Sequence, residues 1–148
     1  MIEYIAAEDE IFGVANVAWT EAASAASLAY TPQLVFPGAI KTEPPVDQIW
    51  AECGFVVVKE SQASLTNANG VSMYESIGLF SMQIYSDKAD SAAFRIAKQI
   101  GEAVRDAFRR LSPSGEVWFR DQRLTPVTGN TTQNQLNVVI TCTYQTLK

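Results

Sequence analysis

The chain contains no histidine and only two cysteines among 148 residues. Lack of histidine removes the commonest general base and a very common metal ligand. Cys53 and Cys142 lie some ninety positions apart and cannot form a standard zinc site without histidine partners. No glycine spacing matches a P-loop or a dinucleotide fingerprint. Long hydrophobic runs are also missing. Residues 22–40 carry no charge, but Pro32 and Pro37 interrupt them, so we expect no membrane span. Met1-Ile2-Glu3-Tyr4 is acidic where an export signal is basic, which predicts no signal peptide. These gaps leave little room for catalysis: we expect no catalytic residue, metal or cofactor.

What is present describes an ordinary globule. The chain is 47% hydrophobic and 18% charged, long enough for one sizeable core and one domain over residues 1–148. A formal charge of −5 disfavours general nucleic-acid binding. Both cysteines fall in apolar, strand-like runs. They read as two buried thiols in neighbouring strands, with a disulfide as the lesser alternative.

Apolar periodicity predicts a first helix over residues 7–29, with Ile11, Val14, Ala15, Ala18, Ala22, Ala25 and Ala29 on one face. Glu8, Asp9 and Glu10 then fall in its first turn, where carboxylates favour the helix dipole, and Thr31-Pro32 ends it. A second, more sharply amphipathic helix begins at Asp87 as N-cap, with Asp90 completing a capping-box-like pair. Ala89, Ala93, Ile96, Ala97, Ile100, Val104, Ala107, Phe108 and Leu111 form its inner face, and residues 112–115 stop it.

Strands are predicted at 33–36, 48–60, 71–85 and 136–144, with two short ones at 116–120 and 123–127. Gly54 reads as a bulge. The second and third strands form a long hairpin with a polar tip, where Asn67 and the pair Asn69-Gly70 supply turn chemistry. The order gives an α+β fold, a mostly antiparallel sheet with two helices packed on one face.

Few groupings have chemical potential. Glu52 and Glu75 could face each other across the hairpin as an acid/base pair in a small enzyme or ligand-binding domain. Arg105, Arg109, Arg110, Arg120 and Arg123 form the basic concentration, next to Trp118 and Phe119, although Glu102, Asp106, Glu116 and Asp121 interleave with it. A subunit interface or solvated face is the better reading. The sequon at Asn130-Thr131-Thr132 has no secretory context and is taken as chance.

The element order resembles that of the small tail terminator, or tail-completion, proteins of long-tailed bacteriophages. The resemblance runs through the N-terminal helix, Ile49-Trp50-Ala51-Glu52, the hairpin ending Gly78-Leu79-Phe80-Ser81-Met82-Gln83-Ile84-Tyr85, and the helix opening Asp87-Lys88-Ala89-Asp90. Gly115-Glu116-Val117-Trp118-Phe119 and the last strand complete it. It implies a virion structural protein at the head-proximal end of the tail, assembled in the host cytoplasm. Copies would form a hexameric ring that caps the tail tube, ends its polymerisation and joins the head. Partners would be the major tail tube protein and a head–tail connector or neck protein, with DNA passing through without specific binding. Six copies would carry roughly −30, which would discourage DNA from adhering. A neck or head-closure protein is the related alternative. Ring closure needs two different patches per subunit. The candidates are the tip, with Asn67 and Asn69, the loop 128–135, with Asn130 and Gln133, and Arg105, Arg109, Arg120 and Arg123.

Overall fold

A computed structural model describes residues 1–39, 44–129 and 132–148. The order is α1 (Tyr4–Ala25), β1 (Gln33–Val35), β2 (Trp50–Gln62), β3 (Met73–Asp87), α2 (Ser91–Ala107), β4 (Val117–Val127) and β5 (Gln133–Leu147). The five strands form one sheet in the order β1-β2-β3-β5-β4. Among the described residues only β1–β2 is parallel; the other three pairings are antiparallel. The architecture is the α+β fold expected.

Strict alternation builds the core. Phe80, Met82 and Ile84 of β3 stand opposite Ile140, Val138 and Leu136 of β5, and all six are buried. Because side chains two apart share a face, this stripe is the inner face of the sheet. Phe80 meets Phe12 of α1 edge-on and lies 5.0 Å from the Phe108 ring at the end of α2, so both helices cover that face. Phe108 in turn meets Phe119 of β4 edge-on at 5.0 Å. Gly101 lets α2 approach closely: a Cβ there would lie 3.0 Å from the Leu124 side chain and 3.3 Å from Ile84.

Several boundaries differ from expectation, each for a local reason. α1 begins a turn early, because buried Ile2 donates its backbone N–H to Gln145 O at 3.0 Å and fixes the N-terminus on β5. Glu8, Asp9 and Glu10 therefore leave the first turn, where the dipole acts most strongly. The helix stops before Pro32, at Ala25, because Ser27, just past the C-cap Ala26, has a φ of 53° that breaks the spiral as a left-handed C-terminal residue does. Ala25 and Ala29, expected on the inner face, are exposed, and Trp19 is buried.

Asp90, not Asp87, caps α2: its carboxylate accepts from Ala92 and Ala93 N–H at 3.0 and 3.2 Å. Asp87 holds the preceding turn by accepting from Ala89 N–H at 3.0 Å. α2 ends at Ala107 as Phe108 turns into the core. That leaves Leu111 past the helix and 79% exposed, against its expected inward place; Ala89 is exposed too.

Gly54 pairs with Ser81 in unbroken register, and the irregularity of β2 falls between Val57 and Lys59. The two short strands expected at 116–127 are one strand, β4, whose register shifts between Arg120 and Arg123. Asp121 there has φ 54°, and the Gln122 side chain turns to donate to Phe108 O at 3.0 Å, closing the end of α2. β5 is longer than expected and starts at Gln133.

Cys53 and Cys142 are free and buried, but not in neighbouring strands. β3 separates them, with Cys53 opposite Met82 and Cys142 opposite Gly78. No disulfide can span that gap. Burial pushes both thiols up from 9.0 to about 12.

Two expected outcomes follow from this packing. Gly78→Ala places a Cβ 2.5 Å from the Phe55 ring and 2.9 Å from Val56 O, which cannot both move aside. Urea unfolding should register a loss of about 1–3 kcal/mol, typical of overpacking. The thiols should resist a disulfide reagent near pH 8 in the native protein and react once unfolded. Since the fold holds these protons more tightly than the unfolded chain does, their contribution to stability is intact below pH 9. It is lost as pH rises towards about 12, which thermal melts against pH would show.

Candidate assembly surfaces

The two ends of the sheet are chemically distinct. β3 and β5 run together from Met73↔Leu147 to Asp87↔Gln133. The hairpin tip at 63–72 lies at the first end and the β4–β5 connection at the second, roughly 45 Å away along the strands.

The tip is held by its own polar groups. Asn67 N–H donates to Val71 O at 2.9 Å, and Gly70 N–H donates to Asn67 O at 3.0 Å. The Asn67 side-chain oxygen accepts from Asn69 and Val71 N–H, both at 2.9 Å. Below it, the Thr66 and Ser72 hydroxyls lie 2.6 Å apart and Gln62 donates to Ser64 O at 2.6 Å. The Asn67 carboxamide oxygen thus closes the turn, while Asn69 and Leu65 stand exposed, Leu65 at 93%. At the base, Ser72 and Lys148 exchange backbone hydrogen bonds of 2.8 and 3.0 Å. Lys148 Nζ donates to Glu60 at 2.6 Å, the main cause holding that carboxyl below its ordinary range.

At the other end, Gln133 opens β5 opposite Asp87 and so belongs to a strand, not to a loop. Asn130, and with it most of the sequon, lies outside the described residues. Nearby, the Trp50 and Tyr85 rings stack at 4.5 Å, and the Tyr85 hydroxyl donates to Glu52 at 3.1 Å. Burial, then the Glu52 carboxylate, push the Tyr85 phenol up to about 12.

The sheet separates the arginines that sequence proximity groups together. Arg105 and Arg109 belong to the helix layer, where both pair with Asp106 at 3.1 Å. Arg120 and Arg123 stand opposite Thr141 and Val139, residues that alternate with the buried Ile140 and Val138. They therefore point out of the uncovered face, along with Trp118, which is 48% exposed. Register also undoes the proposed carboxylate pair. Glu52 lies opposite Gln83 and Glu75 opposite Ser61, eight positions apart along β3 or roughly 26 Å. Among the described residues no cluster of three or more potential metal ligands occurs. No helix among them is long and apolar enough to cross a membrane.

Two features went unread in the sequence. A groove of about 780 Å³ runs between α1 and the end of α2, lined by Val14, Val17, Ala103, Ala107 and Leu111 among others. Its signal lies in the alanine-rich stripe of α1, whereas helical periodicity places Leu111 inward. The second is Trp118: the alternation of Val117 and Phe119 inward could have marked it as outward.

No protein-family model matches the chain, and no curated protein matches its sequence. Among solved structures it is similar to a protein that carries no functional name, with a TM-score of 0.58 and 14% identity over 94% of this chain and 96% of that one. It is also similar to a chain in the virion of a native gene transfer agent particle, with a TM-score of 0.48 and 18% identity over 92% of this chain and 98% of that one. The first likeness shows a fold shared over nearly the whole length.

Proposed function

We propose that this chain is a virion structural protein, and specifically a tail terminator. A ring of copies, six by the family resemblance, would cap the tail tube, end its polymerisation and offer the surface that joins the head. The observation that carries the reading is the presence of two opposed, differently built ends on one rigid sheet. A capping subunit needs that arrangement, because the tube lies on one side of it and the neck on the other. The element order implied by the resemblance, helix, strand, hairpin, helix and two strands, is also the order observed.

The tip is assigned to the tube. Its turn is closed by internal hydrogen bonds, so little ordering entropy remains to oppose docking. Its leading side chains, Leu65 and Asn69, are exposed. The other end, at Gln133 and the adjoining connection, is left for the neck protein. DNA passes through without specific recognition, in keeping with an overall charge of −5 per copy.

The test is length control. Purified protein added to polymerising tail-tube subunits should give capped tubes that stop growing, seen by negative-stain microscopy. Tubes that keep growing, with no added density at either end, would overturn the proposal. Leu65→Asp should shift thermal stability by less than about 0.5 kcal/mol, since the side chain packs on almost nothing, yet it should abolish capping. Normal capping by that variant would remove the tip from the tube interface.

A further inference from the structure

Asn69 is the only asparagine in the sequence that precedes a glycine. The pairing matters chemically, because a backbone nitrogen can attack the carboxamide carbon of the residue before it and close a succinimide ring. Glycine removes the side chain that would crowd this attack. At Gly70 nothing lies within 4 Å of the place a Cβ would take, and both residues are exposed. The remaining asparagines precede valine, alanine, threonine or glutamine, and Asn134 and Asn137 are also fixed in the ladders of β5.

The folded turn holds the reacting atoms apart. Gly70 N–H donates to Asn67 O at 3.0 Å, and neither Ala68 nor Asn69 has a positive φ, which makes 67–70 a type I turn. The third residue of such a turn, here Asn69, has ψ near zero. That angle swings the Gly70 nitrogen towards the backbone nitrogen of Asn69 and away from its Cβ, so ring closure requires the Asn69–Gly70 peptide to rotate. Rotation breaks the bond from Gly70 to Asn67. It also displaces Val71, whose N–H the Asn67 side-chain oxygen accepts at 2.9 Å together with that of Asn69. Asn67 therefore grips the chain on both sides of the peptide that must move.

We propose that Asn69 is a modification site, deamidating spontaneously under the control of the Asn67 side chain. When the turn opens, the Gly70 nitrogen bonds to Asn69 Cγ, and its proton leaves with the carboxamide nitrogen as ammonia. Water then adds to either carbonyl of the succinimide. Opening at one carbonyl gives aspartate; opening at the other gives isoaspartate, in which the chain runs through Cβ. Water enters, ammonia leaves, and nothing is oxidised or reduced. Either product adds a carboxylate to the tip, and isoaspartate lengthens the backbone by a methylene, so the same turn cannot re-form. The modification stands on the turn alone, while its consequence rests on the terminator reading. A copy docked on the tube through its tip keeps the turn closed and is spared, whereas free copies lose the ability to dock as they age.

The experiment incubates the whole chain in mildly alkaline buffer, native and in urea, and separates aspartyl from isoaspartyl peptides by chromatography with mass spectrometry. Asn69 should convert ahead of every other asparagine. Conversion should run at least roughly tenfold slower in the native protein than in urea, because opening the turn costs its hydrogen bonds. Asn67→Ala should speed native conversion severalfold and leave the rate in urea unchanged. Asn67→Asp, which keeps an acceptor oxygen, should stay slow. Circular dichroism checks that both variants fold; if either does not, the ratio of native to urea rates in the wild type still decides. No product at Asn69 in urea, or earlier conversion elsewhere, would overturn the site. Equal wild-type rates in the two conditions, or a folded Asn67→Ala as slow as the wild type, would overturn the control by Asn67. The consequence is read separately, by adding fresh and converted protein to polymerising tubes. Converted protein that caps as well as fresh would remove the tip from docking and leave the site standing. Fresh protein that never caps would sink the terminator reading alone.

Discussion

Phe80 sits where the sheet and both helices meet, touching Phe12 of α1 on one side and Phe108 beyond α2 on the other. Its position follows from the period-two alternation of β3 and β5, which sends one row of side chains inward along both strands. A slip of one residue in that register would turn Phe80, Met82 and Ile84 outward and bring Leu79, Ser81 and Gln83 in. Neither helix would then have an apolar surface to cover. The length of the shared ladder, from Met73↔Leu147 to Asp87↔Gln133, makes such a slip costly at every step.

Rigidity in this layer also sets the surroundings. The early start of α1, the end of α2 and the kink of β4 are all tied back to the sheet by single contacts: Ile2 to Gln145, Gln122 to Phe108, and the aromatic pair Phe108–Phe119. The exposed features inherit their positions from those contacts. Arg120 and Arg123 point outward because β4 stays in register with β5 on either side of Asp121. Leu111 is exposed because Phe108 turns the chain inward three residues earlier.

Elements whose side chains repeat regularly were legible in the sequence. The long strands, the hairpin with its Asn67 turn and the inner stripe of α2 through Ala97, Ile100 and Val104 could all be read from periodicity. What could not be read depended on contacts between distant segments. Asp87 and Asp90 are equally good caps by sequence, and only the turn held by Ala89 N–H decides between them. Glycine marked Gly54 as an irregular point, yet the shift occurred among the β-branched Val57 and Val58, where no local signal exists. The candidate site fared similarly. Nearness in sequence gathered five arginines, while the sheet places them on two sides. The pairing of Glu52 with Glu75 required a register that only the partner strands could supply.

Among the described residues, edge strand β1 is only three residues long, while β4 and the part of β2 that β1 leaves uncovered each carry a break in register, at Arg120/Arg123 and at Val57/Lys59. β4 adds Pro126, which has no N–H to give. A free strand of another molecule cannot run along β4 or the uncovered part of β2 without losing step, and β1 is too short to template one. For the tail terminator proposed above, this matters. A plug able to zip into endless ribbons would consume itself before reaching the end it must close.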